Sequence, residues 1–178
     1  MSTRAVYSFF DSEGPAAAHV YKHHDGYPSG AIQAIEAALE YAWPLPRYEA
    51  DEFAAAFAAG NKSYYKAKLL ELLSQPERTE EDNQNIDYLK EMHEKGYSGG
   101  GIRLITPKRA DTSAMDAAAD FACDLEYRYE IRCDGERGDG ALHVTVFETD
   151  YWSADNRVEK QLFTGTLEEM KVWAGKEE

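Results

Sequence analysis

Hydrophobic and polar residues alternate along three stretches in the C-terminal part of the chain. In residues 124–133, Leu125, Tyr127, Tyr129 and Ile131 alternate with Glu126, Arg128, Glu130 and Arg132. Residues 142–149 place Leu142, Val144, Val146 and Glu148 on one face, and residues 158–165 form a third stretch. A period of two predicts half-buried strands, because successive side chains of a strand point to opposite faces. Two more strands are predicted near the start, over residues 4–11 (RAVYSFFD) and 18–24 (AHVYKHH), joined by an Asp-Ser-Glu-Gly-Pro turn as a β-hairpin. On the second of these, His19, Tyr21 and His23 share one face and Val20, Lys22 and His24 the other.

A different period governs the middle. Ile32, Ile35, Leu39 and Ala42 recur at three- and four-residue spacing and predict a helix over 31–43, with Ser29 as N-cap and Pro44 and Pro46 as the stop. Phe53 and Phe57 predict a second helix over 51–59, closed by Gly60 and Asn61. Residues 62–96 read as a helical hairpin. Leu69, Leu72 and Leu73 mark its first helix, Pro76 breaks it, and Ile86, Leu89 and Met92 mark its second after a Thr79-x-x-Asp82 cap. Gly96 and the Ser98–Gly101 run separate the hairpin from a strand at 102–106, a loop at 107–113 and a short helix at 115–121. Thr166 and Glu169 form a capping box for a last helix through Trp173. Strands at both ends with helices between them predict an α+β fold: a curved antiparallel sheet with helices on one face, in one domain of residues 1–178 that carries 62–96 as an inserted hairpin.

Segment 20–30, VYKHHDGYPSG, together with WPLP at 43–46 and ADEFAAAF at 50–57, resembles a family of small proteins encoded by bacteriophages and prophages. The resemblance rests on Tyr21, His23, Asp25, Gly26, Tyr27 and Pro28, then on 99–103 and 124–131. It covers roughly residues 1–60 and 98–150, and the hairpin lies outside it. It implies a phage context, in which small acidic proteins often interfere with host defence.

Charge points the same way. The chain has 178 residues, and 19 basic against 33 acidic side chains give a net charge of −14. A protein that grips nucleic acid directly needs cations to displace counterions from phosphates, so a direct nucleic-acid binder is excluded. No apolar run approaches the roughly 18–20 residues of a membrane span, and the first residues lack the layout of a signal peptide, so a cytoplasmic protein of the host bacterial cell is expected. Cys123 and Cys133 read as reduced thiols that pack as small apolar residues.

Two binding surfaces follow. Residues 71–94 hold eight acids against Arg78 and Lys90, a net charge of −6. Such a face can occupy a basic groove on a nucleic-acid-handling protein, with Glu77, Glu80, Glu81, Asp82 and Asp87 as the partner-binding candidates. A solvated helix pair has the same composition. The second surface is the turn at 23–30. It precedes a helix N-terminus, which suits an anionic group, and His23, Asp25, Gly26, Tyr27 and Arg103 are the candidates for a small nucleotide-like ligand. The same residues also serve a structural corner, in which Asp25 caps, Gly26 takes positive φ and Pro28 fixes the exit. Catalysis ranks third, as a His/Asp-dependent hydrolase using His19, His23 and Asp25. Two strand histidines four residues apart stand about 13 Å from each other and cannot share a metal unaided, and His93 and His143 are isolated. The Gly99–Gly101 run lacks the Lys-Ser/Thr of a phosphate loop. The expectation is a non-enzymatic inhibitor of a host defence protein or complex, resembling anti-CRISPR proteins, with a nucleotide-sequestering role as the alternative, and with no catalytic residue, metal or cofactor.

Overall fold

The computed structural model describes residues 3–12, 14–62, 64–95, 101–105, 125–133, 140–150 and 158–176. Six strands form one sheet: β1 (Ala5–Phe9), β2 (Ala18–Lys22), β3 (Arg103–Leu104), β4 (Tyr127–Cys133), β5 (Leu142–Asp150) and β6 (Val158–Thr166), in spatial order β3-β2-β1-β4-β5-β6. The helices are α1 (Pro28–Leu39), α2 (Ala50–Lys62), α3 (Tyr64–Ser74), α4 (Glu80–Glu94) and α5 (Leu167–Ala174). The fold is α+β.

The sheet is mixed rather than wholly antiparallel, because β1 and β4 pair in parallel, with Tyr7 opposite Tyr129. Strands joined by a tight turn must run antiparallel. The chain from β1 to β4 instead passes through β2, α1 to α4 and β3, and a connection of that length can bring the later strand back in the same direction. At the centre of the sheet, β1 is buried on both faces along its whole length.

One face of the sheet carries the core. Ala5, Tyr7, Phe9, Val20, Tyr129, Ile131, Val144 and Val146 meet α1, α2 and α5, which contribute Ile35, Ala38, Phe53, Phe57 and Met170. Aromatic contacts concentrate at the middle. Tyr7 stacks on Tyr129 at 4.8 Å between ring centroids and tilts against Phe57 at 4.5 Å. Cys133 is buried in this core; Cys123 lies outside the described residues. The opposite face is polar and cross-linked. Arg128, on β4, binds Glu159 of β6 at 2.7 and 3.0 Å and Glu130 at 2.5 Å, and lies 3.9 Å over the Phe147 ring.

Several local expectations hold and others shift. The Thr166 capping box opens α5, and Thr79 and Asp82 cap α4 reciprocally. Helix α1 starts at Pro28, one residue before Ser29. Tyr27 is its N-cap, without a side-chain cap bond, because Pro28 already fixes the φ that the first helical residue needs. Nor does Gly60-Asn61 end α2, which continues to Lys62. Gly60 is instead where α1 and α2 touch, since a methyl group there would overlap the Ala37 carbonyl. Asn61 is buried and donates from Nδ2 to the carbonyls of Ala34 and Phe57, both at 2.9 Å, so it bonds across the same crossing. The strand expected at 102–106 is shortened to two residues. The expected stop at Gly96, the glycine run before Gly101, the loop at 107–113 and the helix at 115–121 lie outside the described residues. Among the described residues, no helix is long and apolar enough to cross a membrane.

Helices α3 and α4 form the expected hairpin. They pack on one another through Leu69, Leu72, Ile86 and Leu89, a cluster separate from the main core. Leu70, Leu73 and Tyr88 remain exposed on this arm.

The α1–α2 crossing yields a direct test. Gly60→Ala forces a methyl against backbone that is held on both sides, and overpacking of this kind costs about 1–3 kcal/mol. Urea denaturation should show that loss with an unchanged slope; an unaltered midpoint would mean that the helices have room to part.

Candidate functional site

The turn after β2 is built from beneath. Lys22 ends β2 on the core face and is only 5% exposed. Its ammonium donates to the carbonyl oxygens of His24 at 2.6 Å and Asp25 at 3.1 Å, so it gathers the turn over itself. Asp25 takes the left-handed conformation, φ 53°, which Asp tolerates better than most side chains. Positive φ therefore falls on Asp25 and not on Gly26. Gly26 is needed for close approach. A Cβ there would come within 2.8 Å of the Ala5 Cβ and the Thr3 carbonyl oxygen, and its N–H donates to that same oxygen at 2.9 Å. The Gly26 carbonyl accepts from the buried Tyr129 hydroxyl at 2.7 Å. Residues distant in sequence thus hold the turn from both sides.

Burial sets the electrostatics under the turn. Desolvation lowers the Lys22 pKa to about 8, partly offset by the attraction of Asp25. Desolvation raises the Tyr7 hydroxyl well above the ordinary tyrosine value, and the Asp25 charge adds to that. The Tyr7 hydroxyl is fully buried and has no hydrogen-bond partner among the described residues. The neighbouring Tyr129 is raised in the same direction, first by burial.

The candidate ligand residues separate into two places. Tyr27 lines a cleft of about 240 Å³ with Pro28, Ser29, Tyr127, Leu162 and Trp173, between the start of α1, the sheet and α5. This cleft is rimmed by aromatic faces and could stack a flat ring. Neither His23 nor Arg103 lines it. His23 lies on the other side of the turn, where the Tyr21 hydroxyl meets its Nδ1 at 2.6 Å. Arg103, on β3, sits opposite Tyr21 in the strand register. Burial first, and then repulsion from His24, Arg4 and Arg103, lowers the His23 pKa. Asp25 instead acts on Tyr7 and Lys22. The strand alternation expected to send His23 and His24 to opposite faces ends with β2 at Lys22. Beyond it the two rings touch edge to face, 4.6 Å apart.

Among the described residues, the surroundings of His19 do not form a hydrolytic relay. His19 meets the Ser8 hydroxyl at 2.9 Å, and the register places Glu130 on the far side of Ser8. The carboxylate therefore flanks the hydroxyl and not the imidazole, and Arg128 and Arg132 already occupy it. Ser8 is 2% exposed, so a substrate has no approach to it. His19 has a lowered pKa from burial and from Arg128. Among the described residues, no group of three or more His, Cys, Asp or Glu side chains could hold a metal.

On the arm, Glu71, Leu72, Gln75, Asp82, Tyr88 and Leu89 line an open groove of about 540 Å³ between α3 and α4. Of the partner-binding candidates, Asp82 faces this groove, and hydrogen bonds from the Thr79 backbone and hydroxyl lower its pKa. Glu77 lies in the elbow before α4, and Glu80 and Glu81 occupy the first turn of α4, where the helix dipole favours acids. Asp87 points away from the groove and pairs with Lys90 at 3.7 Å. Sequence reasoning passed over Glu71 as a groove residue, and Lys22, Tyr7 and Arg4 at the turn. A lysine on the apolar face of a strand was the one visible signal.

Lys22 gives a pH test. In the unfolded chain it keeps its proton to about pH 10.5, whereas in the fold it loses it near pH 8. Between those values the unfolded state binds more protons, so this residue adds stability as pH rises, at a limiting slope of about 1.4 kcal/mol per pH unit. Denaturant unfolding from pH 7 to 9.5 should show wild type gaining on Lys22→Met across that window. Parallel curves for the two proteins would contradict the buried, depressed lysine.

No family model, no curated protein and no solved structure matches this chain.

Proposed function

We propose that the protein is a non-enzymatic inhibitor that acts by binding, and that its α3–α4 arm engages a basic surface on a host protein that handles nucleic acid. The observation that carries this reading is the arm itself. It has its own small core, a net charge of −6 over residues 71–94, and exposed Leu70, Leu73 and Tyr88 beside the carboxylates. A helix pair that served only to complete the main core would bury those side chains against it.

The groove suits basic side chains. An arginine or lysine entering it would lay its stem on Leu72, Leu89 and Tyr88 and bring its charged end to Asp82 and to Glu71, where it would compete with Lys68, which pairs with Glu71 at 3.0 Å. Acids on the remaining faces of α4 would steer a basic partner and make association fast and salt-sensitive. The phage setting comes from the VYKHHDGYPSG resemblance, and with it the reading of the partner as a defence protein inside a bacterial host. Nucleic acid itself is repelled by the same charge.

Reversal of Glu71, Glu80 and Glu81 to lysine tests this while leaving the Asp82 cap intact. The immobilised wild type should retain a basic nucleic-acid-handling protein from host extract and release it as salt rises. The triple variant should lose that retention by about a hundredfold or more, with its circular dichroism unchanged. Equal retention by both proteins would remove the arm from the mechanism.

A further inference from the structure

Two series of stacked rings end at the cleft beside Tyr27. One starts in the middle of the core. Tyr7 stacks on Tyr129 with 4.8 Å between centroids and 14° between planes, and Tyr129 stacks on Tyr127 at 6.3 Å and 26°. Among the described residues that series stops at Tyr127, which lines the cleft. The other is Phe163 on Trp173, at 5.2 Å and 21°, and Trp173 lines the cleft from α5. Tyr127 and Trp173 are only half-buried, and Tyr27, at the start of α1, is 42% exposed. Three large aromatic side chains from three elements therefore border one space of about 240 Å³.

An irregularity in the sheet feeds the same place. Val146 of β5 faces Phe163 of β6, but the next residue, Phe147, faces Gln161, so Leu162 has no partner across the two strands. Strict alternation would send Leu162 and Phe163 to opposite faces of the sheet. The bulge instead lets Phe163 pack against the core while Leu162 lines the cleft.

The lining limits what can enter. It carries no charged side chain, and its residues bring tyrosine and serine hydroxyls and an indole N–H. Acids stand beside it: Glu148 is opposite Tyr127 in the strand register, and Glu126 precedes Tyr127 in the chain. Burial raises the pKa of the Tyr127 hydroxyl, and the charges of Glu148 and Glu126 add to that. An anionic ligand would meet the same repulsion. A hydrocarbon ring would take water from the polar groups without replacing its hydrogen bonds. A neutral ring with donors and acceptors on its edge avoids both costs and offers faces for stacking. The volume is below the roughly 300 Å³ at which drug-sized pockets begin, which suits a base rather than a whole nucleotide.

We propose that Tyr27, Tyr127, Leu162 and Trp173 form a binding site for the base of a neutral nucleoside, which extends the two ring stacks. Tyr129 and Phe163 are positioning residues that hold the Tyr127 and Trp173 rings. The site shares no residue with the acidic arm, so it stands independently of the inhibitor reading.

The test follows the tryptophan indole N–H resonances of the full chain by NMR. Trp43 serves as internal reference, because it lies under the Arg47 guanidinium and does not line the cleft. Adenosine should shift Trp173 saturably while Trp43 stays put. Adenosine monophosphate should bind no more tightly, indole more weakly, and ribose not at all. Tyr27→Ala should weaken adenosine about tenfold or more, the usual effect of losing one stacking ring. The Tyr27 carbonyl that accepts from the Ala31 N–H remains in that variant, so α1 keeps its start. Leu162→Trp, which fills the cleft from the bulge, should abolish binding with circular dichroism unchanged. No saturable Trp173 shift by about 10 mM adenosine would overturn the proposal. So would a Trp43 shift in step with Trp173, tighter binding of the nucleotide, equal binding of indole, or undiminished binding by folded Tyr27→Ala. The wild-type titration decides the matter even without the variants.

Discussion

The parallel pairing of β1 with β4 is the constraint on which the rest of the molecule depends. It joins an N-terminal hairpin to a C-terminal three-stranded meander and sets Tyr7 against Tyr129 at the centre of the core. From that position Phe57 of α2 closes over Tyr7, and the Tyr129 hydroxyl reaches the Gly26 carbonyl. One aromatic pair therefore ties together the sheet, the helical layer and the turn. Burying two hydroxyl groups with the rings has a cost. Tyr129 offsets its share through the Gly26 bond, whereas the Tyr7 hydroxyl finds no partner among the described residues.

Charge is distributed unevenly around this frame. Acids gather on α3 and α4, away from the main core, where their mutual repulsion is relieved by solvent and by local pairs such as Lys68–Glu71 and Lys90–Asp87. On the polar face of the sheet, opposite charges instead neutralise each other, with Arg128 between Glu130 and Glu159. The arm keeps an excess of one sign, which is the condition for attracting something from outside.

Much of the fold was legible because it is local. Alternation at Leu125–Arg132 and at Leu142–Glu148, the spacing of Ile32, Ile35 and Leu39, and the two caps at Thr79 and Thr166 each depend on residues within a few positions of one another. The errors share a cause as well. Gly60 was read as a helix end because a glycine near the end of a helical pattern usually is one. Here its missing side chain serves a neighbour more than twenty residues away in sequence. Gly26 was given positive φ for the same reason, while the close approach of Thr3 and Ala5 is what excludes any side chain there.

The sequence by itself determined the α+β class, the strand and helix positions, the separate acidic hairpin and the excess of negative charge. These follow from period, capping chemistry and composition, which act over short distances. Only the tertiary structure decided that β4 would lie parallel to β1, that Lys22 would be buried beneath the turn, and that His23 would meet Tyr21 and His24 while Tyr27 faced a different cleft. Those arrangements rest on contacts between segments as much as a hundred and more residues apart, and such contacts leave no periodic signal in the chain. They are chosen by which packing buries the aromatic faces of Tyr7 and Tyr129 while leaving the fewest polar groups without partners.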